Sequence, residues 1–388
     1  MKLAVLIHQS SEMYGSDKVL LLLAQGLLAH GEFRPIVILP QTGPLLDALV
    51  SAGIEVHLAE VAKVSRAAFT PLGILRLVKQ IWQGVRDLDR ISRGRDFSIV
   101  HSNTLAVLSG AVWSRLRRKR HLWHVHEILL SPLLVRKVFP FLVRMSADRV
   151  MSNSTETERW LLAEQPALAG RSVVAFNGLP EVVPPPPDVV RDFRATIGAD
   201  EGTLVVTLAG RINRMKGHRL LIAAVKELQR RDAIDGLHFV VVGGPAPGLE
   251  HLPAEVQADV RAAGLEDNFS FLPFVDNIWP VWFGTDIAVV PSTEPESFGM
   301  VAIEAMAAGV PVVAAAHGGL LDIVVDGETG LLFEPRDAIA FARVIEQLAG
   351  SEKLRRSLGT AGAQRQKELF SMTSQVTVTI ETYRSMLA

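Results

Sequence analysis

At 388 residues, with 48% hydrophobic and 21% charged side chains, the chain is too long for one ordinary core. It suits two domains of fewer than about two hundred residues each, and its balance excludes low-complexity disorder. The absence of cysteine excludes disulfides, thiolate nucleophiles and cysteine-ligated metal sites, and fits a reducing compartment such as the cytoplasm. A net charge of −1 conceals an asymmetry. Residues 1–180 carry 22 Lys and Arg against 14 Asp and Glu and the remainder 18 against 27, so the first part is expected to meet something anionic.

The opening MKLAVLIHQSSE has an apolar run of five residues, too short for a signal-peptide core, and reads as a first buried strand. From there, strand-like runs at 3–7, 35–39, 99–101, 121–125, 149–152 and 173–176 alternate with helix-like stretches, including 18–30 and 72–90. That alternation predicts a parallel sheet covered by helices on both faces. In SSEMYGSDKVLLLLA, Gly15 and Ser16 fall between the first strand and the first helix, where backbone can approach a phosphate. Ser16 or Asp17 would equally serve as an ordinary N-cap.

WHVHE ends another strand, so His124 and His126 are expected on alternate faces, and His126 is the one assigned to a binding cleft. With Glu127 the two histidines hint at a metal site, but the i, i+2 spacing on a strand and the lack of a third ligand argue against it. RLRRKRH, at 115–121, closes a helix whose dipole favours cations and has no interleaved aromatics, so nucleic-acid binding is not expected. Next comes ILLSPLLVRKVFPFLVRM. Its bulky apolar residues with Arg136, Lys137 and Arg144 read either as a helix resting on an anionic membrane surface or as a partly buried helix of the domain.

EVVPPPPD, with Pro184, Pro185, Pro186 and Pro187, predicts a stiff spacer and a domain boundary near residue 180. Beyond it, strands at 204–209, 237–242, 269–271, 287–290 and 312–314 and a helix at 219–230 repeat the earlier theme. In LAGRINRMKGH the first of these strands ends at Gly210, and Arg211 and Lys216 follow on the loop into the helix, where a diphosphate would sit. A solvated basic turn is the plainer reading of that loop alone. FVVVGGPAPG, with Gly243, and FLPFVDN, with Val275, are strand-ending loops placed to support a nucleotide base. Neither GxGxxG nor GxxxxGK[ST] occurs, which weighs against dehydrogenase and P-loop chemistry.

EPESFGMVAIEAMAAGVPVV sets Glu296 and Glu304 on either side of a glycine-bearing turn and a small-residue helix, suited to accepting hydrogen bonds from sugar hydroxyls. The uncharged stretch 305–321 is broken by Gly309, Pro311, His317 and two more glycines and cannot span a bilayer as a helix. Finally, Val376, Ile380, Tyr383 and Leu387 are spaced as one face of a closing helix over 371–387.

Together these motifs resemble retaining glycosyltransferases of family 4. The resemblance implies the GT-B fold, an α/β architecture of two Rossmann-like, doubly wound parallel-sheet domains facing across a cleft. Residues 1–180, with the closing helix at 371–388 packing back, would form the acceptor-binding domain, and 181–370 the nucleotide-sugar domain. Glu296 and Glu304 match the family's glutamate pair, and Arg211 and Lys216 its cations after the first strand of the second domain.

By the same resemblance Arg211, Lys216, Glu296 and His126 form the catalytic group. Glu304 would hold the ribose, with Gly15, Ser16, Gly210, Gly243, Val275, Ser297, Phe298, Gly299, Met300 and Val301 completing the donor contacts. The family's paired-glycine loop is reduced here to Tyr14, Gly15, Ser16 and Asp17. His126 with Glu127 resembles the family's His-acid pair, and His124, Glu127 and Asn103 form the acceptor side.

The expected activity is metal-independent hexosyl transfer, with retention, from a UDP- or GDP-sugar to a hydroxyl of a lipid-linked or cell-envelope glycan, in polysaccharide biosynthesis. No cofactor is expected beyond the donor itself. The expected location is cytoplasmic or peripheral on the inner face of the plasma membrane. A nucleotide-sugar epimerase of the same fold and a non-catalytic nucleotide-sugar-binding subunit are the alternatives. Product mass separates the first, because epimerisation leaves donor mass unchanged, and donor hydrolysis the second.

Overall fold

The computed structural model describes residues 1–62, 70–129 and 132–388; Leu130 and Ser131, within the apolar-basic stretch, lie outside them. The described residues form two compact units, one of Met1–Pro180 with Ser371–Ala388 and one of Glu181–Phe370. The first holds strands β1 (Lys2–His8), β2 (Phe33–Leu39), β3 (Glu55–Leu58), β4 (Phe97–Asn103), β5 (Arg120–Val125), β6 (Arg149–Ser152) and β7 (Ser172–Val174). The second holds β8 (Leu204–Ala209), β9 (Leu237–Val242), β10 (Phe269–Leu272), β11 (Ile287–Val290), β12 (Val312–Ala315) and β13 (Gly330–Phe333).

Every strand pair is parallel, in the orders β3-β2-β1-β4-β5-β6-β7 and β10-β9-β8-β11-β12-β13. Near-continuous Val, Ile and Leu runs in the central strands follow from helices covering both faces, since neither face of such a strand meets water. Each sheet reverses its winding beside one central strand: β1 lies between β2 and β4, and β8 between β9 and β11. Loops leaving β1 and β4, or β8 and β11, therefore diverge to opposite faces and open a crevice at the carboxyl ends of the strands.

Two edge strands, β3 and β13, lie outside the strands expected from sequence. β3 is a four-residue edge strand, EVHL, whose Glu55 is surrounded by Arg34, His57 and Arg95; short length and charge blunt such an edge. β13, GLLF, closes the opposite edge of the second sheet. The proline run also departs from expectation. Pro186 caps, and Pro187 opens, the helix Pro187–Thr196, because proline at the first helical position removes an N–H that would have had no partner anyway.

The helix Met372–Leu387 packs against the helix Gly15–His30 in the first unit. Val376, Ile380, Tyr383 and Met386 are buried; Met386, one residue before the expected Leu387, completes the face. Tyr383 meets the Phe33 ring edge-on at 5.0 Å and shares a 2.7 Å hydrogen bond with Nδ1 of His101, and burial pushes its phenol pKa up. Gln375 accepts from the Gly178 N–H at 3.0 Å, tying the helix to the end of residues 1–180.

The helices approach closely at Gly26, where an added Cβ would lie 2.3 Å from Cγ2 of Val376. Gly26→Val should therefore cost roughly 1–3 kcal/mol through overpacking, although helix propensity alone would favour valine slightly. The urea midpoint of the variant checks this, and an unchanged or higher midpoint would contradict the contact.

Candidate functional site

At the crevice of the second unit, β8 gives way at Gly210, whose φ is 138° and whose N–H bonds the Val242 carbonyl at 2.9 Å. Beside it Gly243 has φ 147°, and an added Cβ would sit 2.0 Å from the Gly210 carbonyl oxygen. Only glycine permits the two loops to run together this closely. Asn213 accepts at 2.9 Å from the backbone N–H groups of both Met215 and Lys216, folding the loop into a turn that delivers Lys216. Thr293 N–H then bonds the Met215 carbonyl at 2.8 Å, so the loop after β8 is stitched to the loop after β11.

That stitching brings residues 80 apart in sequence into contact. Nζ of Lys216 donates to Oε1 of Glu296 at 2.8 Å, and the Ser292 hydroxyl donates to the same oxygen. Burial raises the Glu296 carboxyl, but the charge and hydrogen bond of Lys216, with the Ser292 hydroxyl and His317, outweigh it and hold the pKa below its ordinary 4.5. Backbone packs behind the acid: Gly319 N–H bonds the Glu296 carbonyl at 2.7 Å, and His317 Nε2 bonds the Ser292 carbonyl at 2.8 Å.

Glu296 precedes Ser297, the buried Phe298 and Gly299, whose φ of 123° turns the chain into the helix Met300–Ala307. Met300 and Val301 open that helix half-buried, and their N–H groups belong to the unbonded first turn. Glu304 lies one turn on, with Nε1 of the buried Trp282 3.4 Å from its Oε2. Arg211 is exposed at the start of the loop after β8, and Val275 is half-buried in the loop after β10. Arg211, Lys216, Glu296 and Glu304 thus all belong to the second unit.

In the first unit the corresponding crevice holds a chain of buried polar groups. His8 ends β1 and Asn103 ends β4, directly paired in register. Asn103 bonds Nδ1 of His8 through its Nδ2 at 2.9 Å and Nε2 of His126 through its Oδ1 at 2.9 Å. Nε2 of His8 bonds the Asp17 carboxylate at 2.7 Å. His126 is not segregated from His124 on the opposite face, because side chains two apart along a strand direction share a face, and the two rings lie 3.9 Å apart at the end of β5.

Among the described residues neither His124 ring nitrogen has a hydrogen-bond partner. Burial lowers His126 to about 3, and His124 falls well below its usual value for the same reason. Both rings are neutral at physiological pH. Oε2 of Glu127 accepts from the Leu105 and His126 N–H groups, at 3.1 and 3.2 Å, yet burial prevails and raises its carboxyl to about 7.

Gly15 and Ser16 lie within the first turn of the helix Gly15–His30, not before it, so neither Ser16 nor Asp17 is its N-cap. Tyr14 takes that place, and Asp17 reaches back to the Tyr14 N–H at 3.0 Å as the acidic half of a capping arrangement. No group of three or more His, Asp or Glu among the described residues is disposed to hold a metal ion.

Two family models match in succession: "Glycosyltransferase Family 4" over residues 14–181 and "Glycosyl transferases group 1" over residues 189–365. The chain belongs to glycosyltransferase family 4. Among its relatives, the D-inositol 3-phosphate glycosyltransferase of Rhodococcus opacus is 37% identical over 242 residues, which cover 61% of this chain and 53% of that one. Its counterpart in Corynebacterium aurimucosum is 32% identical over 294 residues, covering 69% and 66%. The chain spans about half the length of the first of these relatives.

The crystal structure of Anabaena HepE in complex with UDP and glucose superposes with a TM-score of 0.85 at 23% identity, over 99% of this chain and 100% of that one, a likeness of fold. The two units of this family 4 chain accordingly have the Rossmann-like, parallel-sheet α/β architecture of GT-B enzymes.

Sequence reasoning about this family 4 member did not single out Ser292, His317 or His8. Ser292 and His317 act from loops whose spacing from Glu296 has no periodic signal. The final position of a buried strand beside the winding reversal does mark His8, once strand order is known.

Glu127 offers a pH test. Its folded pKa lies above its unfolded value, so between about pH 4.5 and 7 the folded state holds the extra proton and stability falls as pH rises. Glu127→Gln should remove that slope, and at pH 8 it should equal or exceed the wild type, by up to roughly 1–3 kcal/mol. Urea unfolding at pH 5 and pH 8 checks this; a difference independent of pH would contradict the raised pKa.

Proposed function

We propose that this chain is a retaining, metal-independent glycosyltransferase that moves a sugar from a nucleoside diphosphate, UDP or GDP, to a hydroxyl acceptor. The observation that carries the reading is the Lys216–Glu296 pair, held at the strand ends where the second sheet reverses its winding. An ammonium and a carboxylate side by side suit a ligand with an anionic leaving group at one end and a polyol at the other. Lys216 and exposed Arg211 would meet the diphosphate, with N–H groups at the start of the helix Met300–Ala307 adding partial positive charge. Glu296 would accept from sugar hydroxyls and Glu304 from ribose hydroxyls. The bound UDP and glucose of the Anabaena protein support this donor class.

In the reaction we infer, the bond from the anomeric carbon to the diphosphate oxygen breaks while the acceptor oxygen attacks the same face. The departing diphosphate takes the acceptor proton, and Lys216 and Arg211 offset the charge that collects on it. UDP or GDP should raise the melting temperature by binding only the folded state, and Lys216→Ala should abolish most of that rise while lowering turnover by about 100-fold or more. A variant matching the wild type in both would remove Lys216 from the site.

For the acceptor we propose a lipid-linked glycan at an anionic membrane surface. No helix among the described residues is long and apolar enough to cross a membrane. However, the helix Pro71–Ile91 exposes Leu72, Ile74, Leu75, Val78 and Trp82 beside Arg76, Lys79 and Arg86, the composition of an interfacial helix. In the run 115–121, by contrast, Arg117, Lys119 and Arg120 pair with Asp89, Asp96 and Asp148 and offer lipid less free charge.

Liposomes containing phosphatidylglycerol should sediment the protein at low salt and release it near 0.5 M, and Trp82→Glu with Leu75→Glu should weaken capture severalfold. Capture unaffected by either change would refute this surface. The relatives' names make inositol phosphate the second acceptor to assay.

A further inference from the structure

The chain of groups Asp17–His8–Asn103–His126 has a direction. A carboxylate only accepts, so Asp17 requires a proton of His8 on Nε2, and the amide donor of Asn103 facing Nδ1 requires a lone pair there. Asn103 turns its Nδ2 donor to that lone pair and its Oδ1 acceptor to His126, which must then carry its proton on Nε2. We propose that Asp17 and His8 are positioning residues that fix the tautomer of His126 through Asn103, so that Nδ1 of His126 faces a substrate hydroxyl as a hydrogen-bond acceptor. The clause concerning substrate rests on the transferase reading above; the tautomer does not.

Three further observations support the relay. His8, Asp17, Asn103 and His126 are all buried, so water does not compete for their hydrogen bonds. Asp17 is held ionised: burial raises its carboxyl, but the hydrogen bonds from His8, the Tyr14 N–H and the Ser10 hydroxyl outweigh it. His126 is neutral, with one ring proton to place, so fixing it on Nε2 decides what Nδ1 presents. A carboxylate that holds a histidine in the correct tautomer is established in hydrolase triads; here the instruction passes through a second histidine and an amide.

Asp17→Asn inverts the chain with little change of shape. The asparagine carbonyl can keep the Tyr14 N–H, which leaves its NH2 group facing Nε2 of His8. The His8 proton then moves to Nδ1, the Asn103 amide flips, and His126 is left with its proton on Nδ1. Full-length protein with ¹⁵N-labelled histidine rings, examined by long-range ¹H–¹⁵N correlation at pH 7.5, reads this directly, with His126→Gln assigning the signals.

The wild type should show His126 protonated at Nε2, and Asp17→Asn should show it at Nδ1. Adding Asn103→Leu should uncouple His126 from the Asp17 change. Asp17→Asn should lose about tenfold in kcat/KM and leave UDP or GDP affinity unchanged. Nδ1 protonation in the wild type, or an unmoved proton in Asp17→Asn, overturns the proposal. Should Asp17→Asn fail to fold, the wild-type signals alone decide. Should UDP and GDP both fail to bind the wild type, the transferase reading falls while the tautomer result stands.

Discussion

A parallel sheet whose winding reverses beside one strand cannot cover the carboxyl ends of the two strands that part there. Both units are organised by that gap, β1 against β4 and β8 against β11, and the polar groups of the two candidate sites lie at it. Elsewhere each strand end is capped by a loop folding the same way as its neighbour. At the reversal, loops diverge and leave room for a ligand, at the cost of polar groups that must find partners among themselves.

The two crevices meet this demand differently. In the second unit the answer is backbone. Gly210 and Gly243 bring two loops into direct contact, Thr293 bonds across to Met215, and the resulting frame aims Lys216 at Glu296. In the first unit the answer is side chains: two histidines, an amide and a carboxylate bond in series within a region water does not reach. Buried networks of that kind are costly if any member is unpaired, which ties the orientation of each group to the next. His124, packed against His126 with both ring nitrogens unbonded, is one departure from this pattern, and Nε2 of His101 beside it is another.

The central strands were legible because burial on both faces writes itself as nearly continuous apolar residues, as in β8 and β9. The edge strand β3 was not, since an edge is kept short and charged and so resembles a loop. Among the candidate site residues, Glu296, Glu304, Arg211 and Lys216 announce themselves through glycine-bearing turns after strands. Ser292, which bonds Glu296, and His317, which bonds the Ser292 carbonyl behind it, sit on loops, and such contacts depend on the fold, not on local spacing. Likewise, side chains two apart on a strand share a face, so the expectation of opposite faces for His124 and His126 inverted the alternation, and their rings lie against each other at the end of β5.

The last eighteen described residues return to the first unit after the whole second unit has been made. The hydroxyl that bonds His101 is supplied from 282 positions downstream, and Val376, Ile380 and Met386 seal a core begun by β1. During synthesis, Glu181–Phe370 can therefore emerge and fold while its predecessor still lacks an outer layer. Biogenesis of this molecule is consequently not sequential: the half translated first is the half finished last, and until then an apolar groove on it stays uncovered.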